Sequence, residues 1–254
     1  MPDIFESSRQ KIAWAEKRLT ELEREISDFG QLNPYEQVTE PHPDKPGHVV
    51  HKIKLTYALP PAIAHITGEV ANSLRSALDN AGYSIAVAAG CVNPKSSAFP
   101  FAGSADGMSK AIGGRCKDIP QPIQSLFCGF QPYPGGNYLL WALNEICNTD
   151  KHKIAIPFGT GAYPIGVSAR GTGGYMCIPT PHIWDSAKNE MTLITLGPGV
   201  KFDYEFDFRF FVAFGEIKLV AGKPVVSVLN AVGSIVQGVL VAIEAESRRL
   251  GFVK

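Results

Sequence analysis

Apolar side chains recur every three or four positions in four long stretches of the chain, which is the spacing of a helix buried on one face. These stretches cover residues 5–29, 60–83, 137–152 and 224–249. Two short helices are also expected near 104–112 and 119–128, because Pro120 suits a first helical turn. Between about 150 and 222 apolar and polar positions alternate, which predicts short strands separated by glycine- and proline-containing turns.

This order of elements predicts an α+β fold. We expect helices from both chain ends and the middle to pack on an antiparallel sheet formed mainly by residues 150–222. One more strand is expected at 48–59, whereas the three prolines of 40–47 argue against regular structure there. The sequence shows no clear linker and predicts a single domain, 1–254, with a helical part of about 1–150 plus 224–249.

Composition narrows the class of protein. The 24 basic and 24 acidic residues balance, so the basic excess of many nucleic-acid binders is absent. The five cysteines are scattered without a CxxC pair, which favours free thiols in a reducing compartment. The first residues lack the basic and apolar stretches of a signal peptide, so we expect a cytoplasmic location. We also expect no membrane partner and no cofactor. Val225–Ile243 is apolar enough to span a membrane, but its interspersed polar residues favour a half-buried helix.

The first helix, 5–29, has a narrow apolar seam among charged residues. The seam residues alternate three and four apart, as in a short coiled coil; they are Ile12, Ala15, Leu19, Leu22, Ile26 and Phe29. Two interpretations remain open. Either the helix packs on its own domain, or the seam joins two copies in a homo-oligomer.

Two helices combine a buried apolar stripe with a face of short hydrogen-bonding residues, unlike the lysine and glutamate mixture of a solvated helix. The polar residues of the second long helix are His65, Glu69, Asn72, Arg75, Asp79 and Asn80. The helix from Asn137 and its end add Asn144, Asn148, Asp150, Lys151 and His152. We expect these two faces to meet in one polar contact.

The polar contact has three interpretations. In the first it is a buried network in which Arg75 pairs with Asp79 one turn away or with Asp150. In the second, His65 and Glu69 bind a metal together with Asp150 and His152. The H-E-x-x-H signature is absent, and no metal is predicted. The third comes from a family resemblance, given next, which implies catalysis through Arg75 with help from His152 or Asp79.

The segment from Asn72 to Asn80 resembles the "NLRSALDH" helix of uncharacterised bacterial proteins, and Asn148-Thr149-Asp150-Lys151-His152 resembles their later "N-x-D-K-H" segment. Arg75 with a polar residue five positions later also resembles the R-x(4)-H motif of the HEPN superfamily. That resemblance implies cleavage of RNA by Arg and His at a dimer interface. Asn80 stands in place of the histidine, and Asn cannot transfer protons near neutral pH as His can.

The sequence thus favours a non-enzymatic protein that binds a partner or assembles with itself. The alternative is a HEPN-like protein that cleaves or binds RNA, with its catalytic set degenerate.

Overall fold

A computed structural model gives the fold of the chain. It describes residues 3–92, 94, 96–152, 158–172, 176–177, 184–185, 188–215 and 217–253; for 150–152, 158–172, 176–177 and 201–210 it describes the backbone only. The described residues form an α+β fold, so the predicted fold class is confirmed. They divide into two compact units, one of residues 1–23, 64–156 and 226–254 and one of residues 24–63 and 157–225.

Helices dominate the first unit. Their bounds are Glu6–Gln31 (α1), Pro61–Ala88 (α2), Met108–Arg115 (α3), Gln121–Gly129 (α4), Tyr138–His152 (α5) and Val225–Arg249 (α6). The predicted periodicity holds, because the apolar stripes of α2, α5 and α6 are almost fully buried, as for Leu74, Leu143 and Val232. Burial of such a stripe provides the main stabilisation of a helix in water.

Local signals set the ends of the two helices that carry the candidate site. After α2, Gly90 takes a left-handed conformation (φ 89°), and the N–H groups of Gly90 and Cys91 return to the carbonyls of Val87 and Ala86. The side chain of Asn137 caps α5 by accepting the N–H groups of Leu139 and Leu140, each at 3.1 Å.

The second unit contains an antiparallel sheet of five strands. Along this sheet β1 (Tyr35–Pro41) pairs with β2 (Val49–Leu55), which pairs with β6 (Glu190–Leu196). The short strands β4 (Met176–Cys177) and β5 (Trp184–Asp185) both pair with β6. On one face Ile53, Met191 and Leu193 form a small core, covered by Tyr35 and Trp184.

A second sheet consists of β3 (Phe158–Thr172) and β7 (Lys201–Phe214), which pair antiparallel over nearly their whole length. The register shifts between Pro164 and Gly166, as in a β-bulge. Residues 153–157, at the start of the predicted β part, lie outside the described residues.

The strand expected at 48–59 is confirmed as β2, but the expectation that 40–47 has no regular structure was wrong at its start. There β1 continues through Glu40 and Pro41 despite the proline-rich sequence. Pro41 is tolerated because β1 is an edge strand, where a missing N–H interrupts no ladder on its outer side.

Candidate functional site

Arg75 is the centre of the polar contact between α2 and α5. Its Nη1 donates to Oδ1 of Asn144 at 2.8 Å, and its Nε lies 3.5 Å from Oδ2 of Asp79. The Phe101 ring covers the guanidinium, with its centroid 3.9 Å from Cζ. Such stacking over an aromatic face is favourable for a cation. Arg75 therefore joins α2, α5 and the segment before α3.

Burial decides the electrostatics of this cluster. The Arg75 side chain is only 14% exposed. Burial lowers the pKa of Arg75, and the nearby charge of Asp79 opposes that effect. Since arginine is protonated throughout the ordinary pH range, the group is a fixed cation that cannot act as a general base. Its buried position favours a structural role for Arg75 over a role in proton transfer.

Asp79 links α2 to the segment before α3. Its Oδ1 accepts the N–H of Phe99 at 3.2 Å, and Phe99 is completely buried. The Phe99 ring packs against Phe101 and Phe127, with centroids 5.2 and 5.1 Å away. Asp79 thus satisfies a buried backbone donor at the edge of an aromatic cluster.

Gly82 allows this segment to approach α2. A Cβ atom at Gly82 would lie 3.0 Å from the carbonyl carbon of Ala98 and 3.2 Å from its Cα. Backbone atoms cannot move away as a flexible side chain can, so any larger residue would push the segment outward. The Asp79–Phe99 bond and the stacking of Phe101 on Arg75 both depend on this approach.

Two other polar residues of α2, Glu69 and Asn80, contact α1. Glu69 forms an ion pair with Arg18 of α1 at 2.6 Å, and the Asn80 amide donates to Ser7 of α1 at 2.9 Å. The prediction that Glu69 and Asn80 meet α5 was therefore wrong. These two positions are separated by about three helical turns, so they share a face that is turned away from Arg75.

The other predicted site residues that the structure describes differ in exposure. Asn72 is half-buried, whereas His65 and Asn148 are exposed. The side chains of Asp150, Lys151 and His152 lie outside the described residues, so the catalytic pairing of His152 with Arg75 stays a prediction. Among the residues that the structure describes, no three His, Cys, Asp or Glu side chains are grouped as a metal site requires.

Sequence reasoning missed a second polar cluster, which lies on the five-stranded sheet. The Lys52 ammonium donates to Glu40 at 2.7 Å and to Glu190 at 2.8 Å. Lys54 also contacts both carboxylates, with its Nζ 3.4 Å from Oε2 of Glu190. The alternating charges of β2 were visible in the sequence, but their partners depend on strand pairing.

This charged network changes the pKa values of Glu40 and Lys52. Hydrogen bonds from Lys52 and Lys54 lower the pKa of Glu40 to about 2. Burial opposes the charge of Lys52, but its bonds to Glu190 and Glu40 raise its pKa overall. Each charge is therefore stabilised by two of the opposite sign.

No protein-family model, curated protein or solved structure significantly matches this chain.

Proposed function

We propose that this chain is a non-enzymatic protein that assembles with itself through the exposed face of α6. The main support is that this face carries no charge over most of the helix. Its exposed residues are Ser227, Asn230, Ser234, Gln237, Gly238, Val241 and Ala245, followed by Arg248 and Arg249 at the C-terminal end. An outer helix face in a soluble protein ordinarily carries charged residues.

The chemistry of α6 favours a second copy as the occupant of this face. Val225–Arg249 is long and apolar enough to cross a membrane, yet only 39% of its most apolar window is buried in this chain. Asn230 and Gln237 would be unfavourable in hydrocarbon, and between Ser227 and Ala245 the face lacks the Lys and Arg residues that contact lipid headgroups. Along 227–245 two such faces meet around a twofold axis without opposing any exposed charged residue. Small residues such as Gly238 also allow close helix approach.

The seam of α1 does not offer an alternative interface. Ile12, Ala15, Leu19, Leu22 and Phe29 are all buried within this chain. Of the two interpretations of that seam, packing within the chain is the one its burial supports. A homo-oligomer contact through helix 5–29 would have to use its other face, where Trp14 is 49% exposed.

A charge placed in the α6 face tests the proposal. In Gly238→Glu the new side chain meets open space within its own chain, because no atom lies within 4 Å of the added Cβ. Gly113→Glu is the matched control, since Gly113 is an exposed glycine of α3 with equally open surroundings.

We expect sedimentation at micromolar concentrations to give a dimer for the wild type and Gly113→Glu, and a monomer for folded Gly238→Glu. A monomeric wild type, or a dimer that survives Gly238→Glu, would refute the proposal. Flotation of the wild type with phosphatidylcholine vesicles would show that lipid covers this face instead.

No described contact favours the RNA alternative. Arg75 bonds to α5 and Asn80 to α1, so the two motif positions do not converge on one cleft. RNA cleavage by the wild type that is lost in Arg75→Ala at equal folded fraction would overturn the non-enzymatic proposal.

A further inference from the structure

A pocket of about 350 Å³ opens on the charged face of the five-stranded sheet. Strand residues Val50, Lys52 and Thr195 line one part, and the turn between β1 and β2 contributes His42 and Asp44. This volume is at the lower end of the range for small-molecule sites, about 300–1,000 Å³, so it suits a small ligand.

Two of the acidic groups in this pocket are already engaged. Glu190 is buried, and each of its oxygens faces a lysine, Lys52 at 2.8 Å and Lys54 at 3.4 Å. Asp185 accepts the backbone N–H of Lys188 at 3.1 Å and pairs with its ammonium at 3.6 Å. Because these two carboxylates are paired within the protein, we expect other groups in the pocket to contact a ligand.

Two of the donors that remain available in the pocket belong to Lys52 and His42. Lys52 carries three N–H groups, of which Glu40 and Glu190 accept two; within the described part of the chain the third has no acceptor. Nδ1 of His42 accepts the N–H of Asp44 at 3.0 Å, so the neutral ring carries its proton on Nε2. Both donors suit a carboxylate.

The third free group has the opposite charge. The Asp44 side chain is exposed, and its backbone N–H holds the His42 ring two residues away. The pocket thus presents two donors for an anionic group and one carboxylate for a cationic group. A ligand that carries both charges can pair with this whole set.

We propose that this pocket binds a free α-amino acid. Its carboxylate accepts from Lys52 Nζ and His42 Nε2, and its ammonium group pairs with Asp44. Val50 provides apolar contact for a side chain. The inference concerns the sheet and is independent of self-association through α6.

Matched ligands test this assignment. Saturation-transfer NMR of the 254-residue chain would compare L-leucine with 4-methylpentanoate, which lacks the ammonium group, and with isoamylamine, which lacks the carboxylate. L-Alanine, propionate and ethylamine form a second set with a smaller side chain. We expect at least one amino acid to bind at least about tenfold more tightly than both of its analogues.

Variants connect binding to the pocket. His42→Asn keeps an acceptor for the Asp44 N–H but removes the Nε2 donor, and Asp44→Asn removes the partner of the ammonium group. Each should weaken amino-acid binding at least about tenfold, while Lys117→Met, an exposed lysine in the other unit, should not.

The wild type failing to bind either amino acid at millimolar concentration would overturn the proposal. So would equal binding of an amino acid and its analogues, or unchanged affinity in both folded pocket variants.

Discussion

Replacing Asp79 with alanine should destabilise the first unit, the helical one, mainly because the backbone N–H of Phe99 would lose its acceptor. The Asp79 carboxylate accepts the N–H of Phe99, which is 0% exposed. Without an acceptor this buried donor costs about 1–3 kcal/mol. The ion pair with Arg75 adds up to about 1 kcal/mol, because the Asp79 side chain is 33% exposed and solvent screens the interaction.

The combined loss of about 1–4 kcal/mol corresponds to a fall in Tm of roughly 2–16 °C for a chain of this size. Circular dichroism at 222 nm would measure it, since the helices give most of that signal. Asp79→Asn is the decisive control, because its Oδ1 still accepts from Phe99 while the charge is gone. We expect Asp79→Asn to lose at most about 1 kcal/mol. If Asp79→Ala melts like the wild type, or Asp79→Asn is equally destabilised, the backbone bond is not the main contribution.

Two further predictions concern packing and charge. Gly82→Ala should destabilise by about 1–3 kcal/mol because its Cβ would meet the Ala98 backbone, whereas Gly113→Ala, with open surroundings, should stabilise α3 by up to about 1 kcal/mol. Denaturant melts of both variants would show the difference, and equal effects would contradict the close approach. In the folded chain the pKa of Glu40 is lowered from 4.5 to about 2. Between these two pH values the unfolded chain therefore binds more protons at Glu40 than the folded chain does. The stabilisation from Glu40 is therefore complete above pH 4.5 and lost toward pH 2, so melts at pH 3 and 7 should differ less in Glu40→Gln than in the wild type.

The contact of Arg75 with Asp79 and Asn144 was predictable because it follows from helix periodicity. Residues one turn apart share a face, and a short polar residue such as Asn144 on an otherwise apolar helix indicates a buried partner. The sequence did not indicate that Phe99 would supply a backbone donor to Asp79. That bond depends on a loop crossing α2 at Gly82, and helix periodicity does not determine where a loop crosses.

Strand pairing explains what sequence reasoning missed in the sheet. The sequence pattern places Lys52 and Lys54 on the solvated side of a strand. Glu40 lies in a stretch with several prolines, where no strand is predicted. The register sets Lys54 opposite Glu190, which is far away in the chain, and brings Glu40 opposite Val50 beside both lysines. A shift by one residue would move these side chains to the other face, so the cluster exists only in the folded register.

The two polar clusters differ in what their surroundings leave accessible. Arg75 is mostly buried, with its planar face against Phe101 and its edges directed at Asn144 and Asp79. Lys52 is similarly shielded, at 17% exposed, but it lines a pocket and retains a donor beyond its two carboxylate partners. A ligand at Arg75 would have to displace contacts that join three segments of the helical unit. A ligand at Lys52 would accept from an N–H group that the described residues leave without an acceptor. The pocket on the sheet is therefore the better candidate for a binding site.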